Sequence, residues 1–145
     1  MKSEPTEYSI DSLARDGQSS WFGVRNYQAR NYMRDDMRVG DRVLFYHSSC
    51  PTPGIYGIAE VATPAHADET QFIVGDKHYD PKSTTDKPIW QCVDVRYVST
   101  LAHPITLADI RATPGLESMK LLQKGSRLSI TPVSGEEWRI IEGMM

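Results

Sequence analysis

The sequence predicts an α+β domain, a small, mixed and mostly antiparallel β-sheet or barrel with helices packed outside it. Three observations lead there. Two runs rich in β-branched and aromatic residues, Arg42 to His47 and Ile55 to Val61, flank a link with two prolines and a glycine, and so form a hairpin. The remaining strand signals are spaced too irregularly for the strand–helix–strand crossovers that a parallel sheet needs. The length, 145 residues at 16.4 kDa, is that of one domain, taken here as residues 1–145.

Each element has a local cause. Ser9 caps a short helix from Ile10 to Arg15, which Gly17 ends. A second helical pattern runs from about Asn26 to Met37. Ala29, Met33 and Met37 share one face at four-residue spacing, while Arg30, Arg34 and Arg38 share another. Val39-Gly40-Asp41 turns the chain into the hairpin. Pro64 to Asp86 is poor in apolar residues and rich in turn formers, with a short strand expected at Gln71 to Val74; loops that long in a compact domain are often functional. The longest strand signal is Trp90 to Val98. Thr106 caps a helix through Ala112, Gly115 to Gln123 suggests another, and Ser126 to Ile130 a last strand. Ser134 opens a final helix with Glu137 at capping-box spacing, burying Trp138, Ile140 and Ile141.

Charge narrows the function. Sixteen Lys and Arg against nineteen Asp and Glu give −3, which argues against coating of a polyanion by wholesale neutralisation but leaves a local basic face open. No apolar run approaches the roughly 20 residues of a membrane span. Two cysteines and an acidic, apolar-poor start point to a reduced, cytoplasmic setting, that of a bacterial cytosol.

No catalytic signature stands out. There is no Gly-x-Ser-x-Gly elbow and no Gly-rich loop followed by Lys-Ser/Thr. The four histidines are scattered, without His-x3-His or Cys-x2-Cys spacing, so no metal is expected and no cofactor is implied. His47 and Cys50 are close in sequence, which says little of their geometry in a strand-end loop. Asp94 and Glu60 lie in expected strands, where acids mostly face solvent.

The unusual stretch is Trp21 to Tyr32, with four aromatics, two arginines and two asparagines in twelve positions. Aromatic faces stack on bases, Arg binds phosphate, and Asn pairs with a base edge. From Arg25 to Arg42 five arginines meet three aspartates, +2 in an acidic chain. The same residues also suit a half-buried core and a solvated helix face. An enzyme acting on a nucleotide or metabolite, and a protein-interaction module, stay open as alternatives to a nucleic-acid reader.

Lys2-Ser3-Glu4-Pro5, Trp21-x-Gly23-Val24-Arg25-Asn26-Tyr27-Gln28-Ala29-Arg30-Asn31 and Gly40-Asp41-x-x-x-Phe45-Tyr46-His47-Ser48 resemble the EVE domain family. So do Gly54-Ile55-x-Gly57, Tyr79-Asp80-Pro81, Trp90-x-x-Val93-Asp94-Val95 and Arg127-Leu128-Ser129-Ile130-x-Pro132, in collinear order across the chain. The resemblance implies a PUA-like pseudo-barrel and a non-enzymatic module. Its partner would be nucleic acid, with a modified cytosine in DNA or a modified RNA base flipped into a pocket. Carried over by position, Ser3 and Trp21 border that pocket and Val24, Arg25, Asn26 and Tyr27 form its wall. Tyr46, His47 and Ser48 close the strand end, Tyr79 and Asp80 cover it, and Arg30 and Arg127 meet phosphates. Family members carry an aromatic and apolar lead before the first strand; here Met1 directly precedes Lys2, which leads us to expect a shortened first strand or an upstream start.

Overall fold

The computed structural model describes residues 1–125 and 127–145. A five-stranded sheet forms its centre, in the order β1-β3-β4-β7-β2. The strands are β1 (Lys2–Ser3), β2 (Gln18–Ser20), β3 (Arg42–His47), β4 (Gly54–Val61) and β7 (Asp94–Thr106). All neighbours are antiparallel except β1, which lies parallel to β3 with Lys2 opposite Tyr46. Register shifts at Phe45/Tyr46 and twice between β4 and β7 curl the sheet into a half-barrel, as bulges bend the strand that carries them. A two-stranded ribbon, β5 (His66–Ala67) with β6 (Gln91–Cys92), stands apart.

Strand alternation divides the interior in two. Val43 and Phe45 of β3 enter a core with Trp21, Val24, Met33, Val93 and Val95. Leu44 and Tyr46 point the other way, into a core with Ile55, Ile105, Ile110, Leu116 and Ile141. Both faces of the sheet are therefore covered, which is why β3 reads as an unbroken apolar run.

The helices follow their caps. Ser9 starts α1 (Ile10–Asp16) through a reciprocal bond with Ser12, and Gly17 at φ +79° ends it. The Asn26 side chain accepts from Ala29 N to start α2 (Tyr27–Asn31), which continues as one π-helical turn over Tyr32–Asp36. Ala29 and Met33 are buried as the spacing predicts and Met37 is half-buried; on the arginine face Arg34 and Arg38 are exposed and Arg30 is half-buried. Thr106 and Ser134 cap α3 (Leu107–Ala112) and α4 (Gly135–Glu142) with full capping boxes. Among the described residues no helix is long and apolar enough to cross a membrane.

Four expected elements differ. Gln71 to Val74 is not a strand: Asp68 accepts from Thr70 N and starts a 3-10 turn over Glu69–Phe72 that tucks Gln71 inside. The Trp90 to Val98 run is broken at Val93, whose carbonyl accepts from Trp21 N, and β7 then extends to Thr106 because it pairs along β4. Over Gly115 to Gln123 the chain makes successive three-residue turns, with a 3-10 turn only at Lys120–Leu122; these already bury Leu116 and Met119. Residues 127–130 join no ladder beyond a bond from Lys2 N to the Ser129 carbonyl, and Ser126 lies outside the described residues.

Candidate functional site

The centre of the Trp21 to Tyr32 stretch is a knot that ties the long loop to the body. Gly23, at φ +80°, places its backbone against the His78 ring; a Cβ there would lie 2.5 Å from His78 Nε2. Gly23 N–H donates to Asp68 Oδ2. Arg25 then fills its whole guanidinium fork with protein acceptors. Nε and Nη2 donate to the His78 carbonyl at 3.0 and 2.8 Å, Nη1 to Asp68 and the Val24 carbonyl, and Nη2 also to Thr70 Oγ1. Burial alone would raise the Asp68 carboxyl; bonds from Thr70, Gly23 and Arg25 overcome it and hold the group below the usual carboxylate range.

Beside the knot lies an aromatic platform. Tyr27, 59% exposed, stacks on buried Trp90 with centroids 4.9 Å apart, and the Arg30 guanidinium lies 4.9 Å from Tyr27 and 5.9 Å from Trp90. Those three distances put Arg30 beside the stack, so the outer face of Tyr27 stays open. Arg30 is further held by the Ile89 carbonyl and Asn31. Trp90 Nε1 donates to Asp80 Oδ2, which lowers the Asp80 pKa, and Asp80 Oδ1 accepts from Lys82 N. Tyr79 stays partly exposed at the turn.

The end of β3 is occupied from within. His47 Nε2 accepts from Ile10 N at 3.1 Å and its ring stacks on Tyr56 at 4.1 Å. Burial lowers its pKa, and a neutral ring is what that bond requires. Its lone pair is thus unavailable to Cys50. Ser3 Oγ donates to the Tyr8 carbonyl and Ser48 N to the Ser3 carbonyl. Tyr46 faces the opposite core, and burial raises its pKa.

The structure therefore divides the residues that sequence assigned to one pocket. Trp21 and Val24 are core, Trp21 meeting Phe45 edge-on at 5.5 Å. Arg25 is bonded within the protein, Asn26 caps α2 while staying exposed, Tyr27 is exposed, and Ser3, His47 and Ser48 are bonded within the protein. Neither of two cavities among the described residues is walled by Trp21, Val24, Arg25 or Tyr27. The larger, about 570 Å³, lies against Leu44, Tyr46, Ile130 and Trp138. The smaller, about 390 Å³, is a polar groove between Asn26, Gln28 and Tyr32 on one side and Lys120, Lys124 and Arg127 on the other.

Other titratable groups serve the fold. Asp94 accepts from Ser20 Oγ and bonds His66, and Glu60 pairs with Arg96. Burial first, then Asp68 and Asp94, push the Cys92 thiol up to about 12, which makes it inert. Among the described residues no three His, Cys, Asp or Glu gather as a metal site.

The profile of the EVE domain matches residues 1–144. The chain belongs to the EVE domain family. Human thymocyte nuclear protein 1 is 41% identical over 97% of this chain and 70% of its own. A Schizosaccharomyces pombe relative is 40% identical over 91% of this chain, which spans 56% of that longer protein. A Pseudomonas putida crystal structure superposes with TM-score 0.95 at 49% identity, covering 99% of this chain and 96% of the other. Human thymocyte nuclear protein 1 in complex with 5-methylcytosine-containing DNA superposes at 0.91 with 39% identity, covering 99% and 94%. The EVE fold here is thus PUA-like, as the resemblance implies.

Sequence reasoning missed Asp68, Thr70, Gln71, Lys120 and Lys124. The first three sit in a segment with no periodic signal. The burial of Asp68 and Gln71 is decided by tertiary packing and has no local sequence cue. The two lysines reach the groove only through the turns that replace the expected helix.

Proposed function

We propose that this EVE domain binds nucleic acid carrying a methylated cytosine and reads that base out of the helical stack, without catalysis. The single observation that carries the reading is the likeness, 39% identical along nearly the whole chain, to a human domain whose structure holds 5-methylcytosine DNA. Local chemistry supports it. The open face of Tyr27 is a stacking surface already braced by Trp90 and Arg30, and among the described residues the Asn26 amide N–H donors meet no partner while its oxygen caps α2. A stacked base gains about 1–3 kcal/mol, enough to offset unstacking of a few kcal/mol only with help from edge and phosphate contacts.

The test is binding of matched oligonucleotides with 5-methylcytosine or cytosine by fluorescence anisotropy. Tighter binding of the methylated strand is expected, and Tyr27→Ala is expected to weaken it by roughly 5- to 100-fold. Fluorescence of 2-aminopurine next to the methylated base should rise on binding. Equal affinity for both oligonucleotides, unchanged by Tyr27→Ala, would sink the reading.

A further inference from the structure

The polar groove beside α2 has two unlike walls. One presents neutral donors and acceptors: Asn26, Gln28 and Tyr32, with Gln28 Nε2 donating to the Tyr32 hydroxyl at 3.2 Å. The other presents three exposed cations, Lys120, Lys124 and Arg127, and no acidic residue lines the groove. Among the described residues none of these three is paired with a carboxylate, whereas Arg15, Arg25, Arg34 and Arg96 all are. In a chain of net charge −3 this is a concentrated, unspent positive strip. The larger cavity offers no such contrast, since Asp36 and Asp41 line it together with Lys2 and Arg42.

We infer that this groove is the seat of one strand of nucleic-acid backbone, with two or three consecutive phosphates on the Lys120–Lys124–Arg127 wall and the sugars and base edges toward Gln28 and Tyr32. Cations on one wall only match one row of phosphates; a duplex lying in the groove would bring a second row against the neutral wall. Asn26 and Gln28 flank Tyr27 in sequence, so the groove and the exposed ring belong to the same stretch of chain. The inference rests on the nucleic-acid reading above but concerns the backbone, which carries no base identity.

The experiment is a salt titration with single-stranded DNA 12-mers, one containing 5-methylcytosine and one unmodified. Neutralising three phosphates of a single strand gives a slope of log K against log salt of about −2. The variant K120Q/K124Q/R127Q should flatten that slope toward zero and lose at least 10-fold in affinity at low salt for both strands alike, its unfolding midpoint unchanged. The exposed pair R111Q/R139Q, on α3 and α4, controls for overall charge and should change little. Salt-dependent binding that discriminates methylation and survives the triple substitution would overturn the groove while sparing the base reading. Binding that is lost in the triple variant but never discriminates methylation would do the reverse. No binding of either strand removes both.

Discussion

At the level of single residues, Arg25 and His47 turn from candidate ligand contacts into supports. The Asp68 side chain is 1% exposed and relies on Arg25 for charge balance. Arg25→Ala is expected to cost about 3 kcal/mol in urea unfolding, as a buried carboxylate loses its cation. Arg25→Lys should recover only part, because a point charge cannot reach His78, Thr70 and Asp68 together. Asp68 also sets an acid limit. Its folded pKa lies below its unfolded one, so its contribution is complete above about pH 4 and is lost as pH falls through the folded value. Asp68→Asn should shrink that loss, seen as a flatter stability–pH curve below pH 4. His47 acts in a higher window. Burial depresses its folded pKa, so the unfolded chain takes the proton first and stability declines as pH falls below about 6.5. His47→Gln, whose amide oxygen can still accept from Ile10 N, should remove the histidine part alone; an unchanged curve between pH 5 and 7 would show that the ring does not titrate there.

At the level of elements, Gln71 holds the long loop from within, as Arg25 ties it to the body from outside. Gln71, fully buried, donates to the Asp68 and Trp90 carbonyls and accepts from Trp90 N and Ser83 Oγ. Its Ile89-side neighbour Ser83 relays the order by accepting from Ile89 N. Gln71→Ala strands these groups and should cost about 3 kcal/mol. Amide exchange should rise across residues 76–89 while β3 and β4 stay protected, since the ribbon and loop are separate from the main ladder. Because Trp90 and Asp80 both hang from this network, the same substitution should weaken stacking at Tyr27 with no change in the groove cations. Protection that falls equally in β3 would contradict a loop held by Gln71.

At the level of the whole molecule, β3 joins the two cores, its alternate residues serving opposite faces. Removing Phe45, central to one core and in edge contact with both Trp21 and His47, should cost about 4 kcal/mol, and Ile110→Ala, in the other, about 3 kcal/mol. Shared strands predict one cooperative transition in which both losses lower the same midpoint. Tryptophan fluorescence, which reports both cores through Trp21 and Trp138, and far-ultraviolet circular dichroism should coincide in each variant. Separate midpoints would mean that the cores unfold independently. The same scale reconciles an acidic protein with a polyanionic partner. Arg15, Arg25, Arg30, Arg34, Arg38 and Arg96 are spent on internal acceptors, and the groove gathers three cations that, among the described residues, pair with no carboxylate.

What the sequence determined by itself was whatever depends on neighbours along the chain. The Ser9, Thr106 and Ser134 caps, the β3–β4 hairpin and the apolar face of α2 follow from spacings of two to four residues, and all appear where those spacings put them. The motif from Trp21 to Asn31 likewise marked the family. What only the tertiary structure decided was the partner of each polar group. Nothing local states that Arg25 will spend its donors on residues 68–78, that Tyr46 and His47 will face opposite cores, or that tight turns will carry Lys120 and Lys124 beside Asn26. A guanidinium can serve a phosphate or a carbonyl equally well, and the choice depends on which acceptors the fold brings within hydrogen-bond reach.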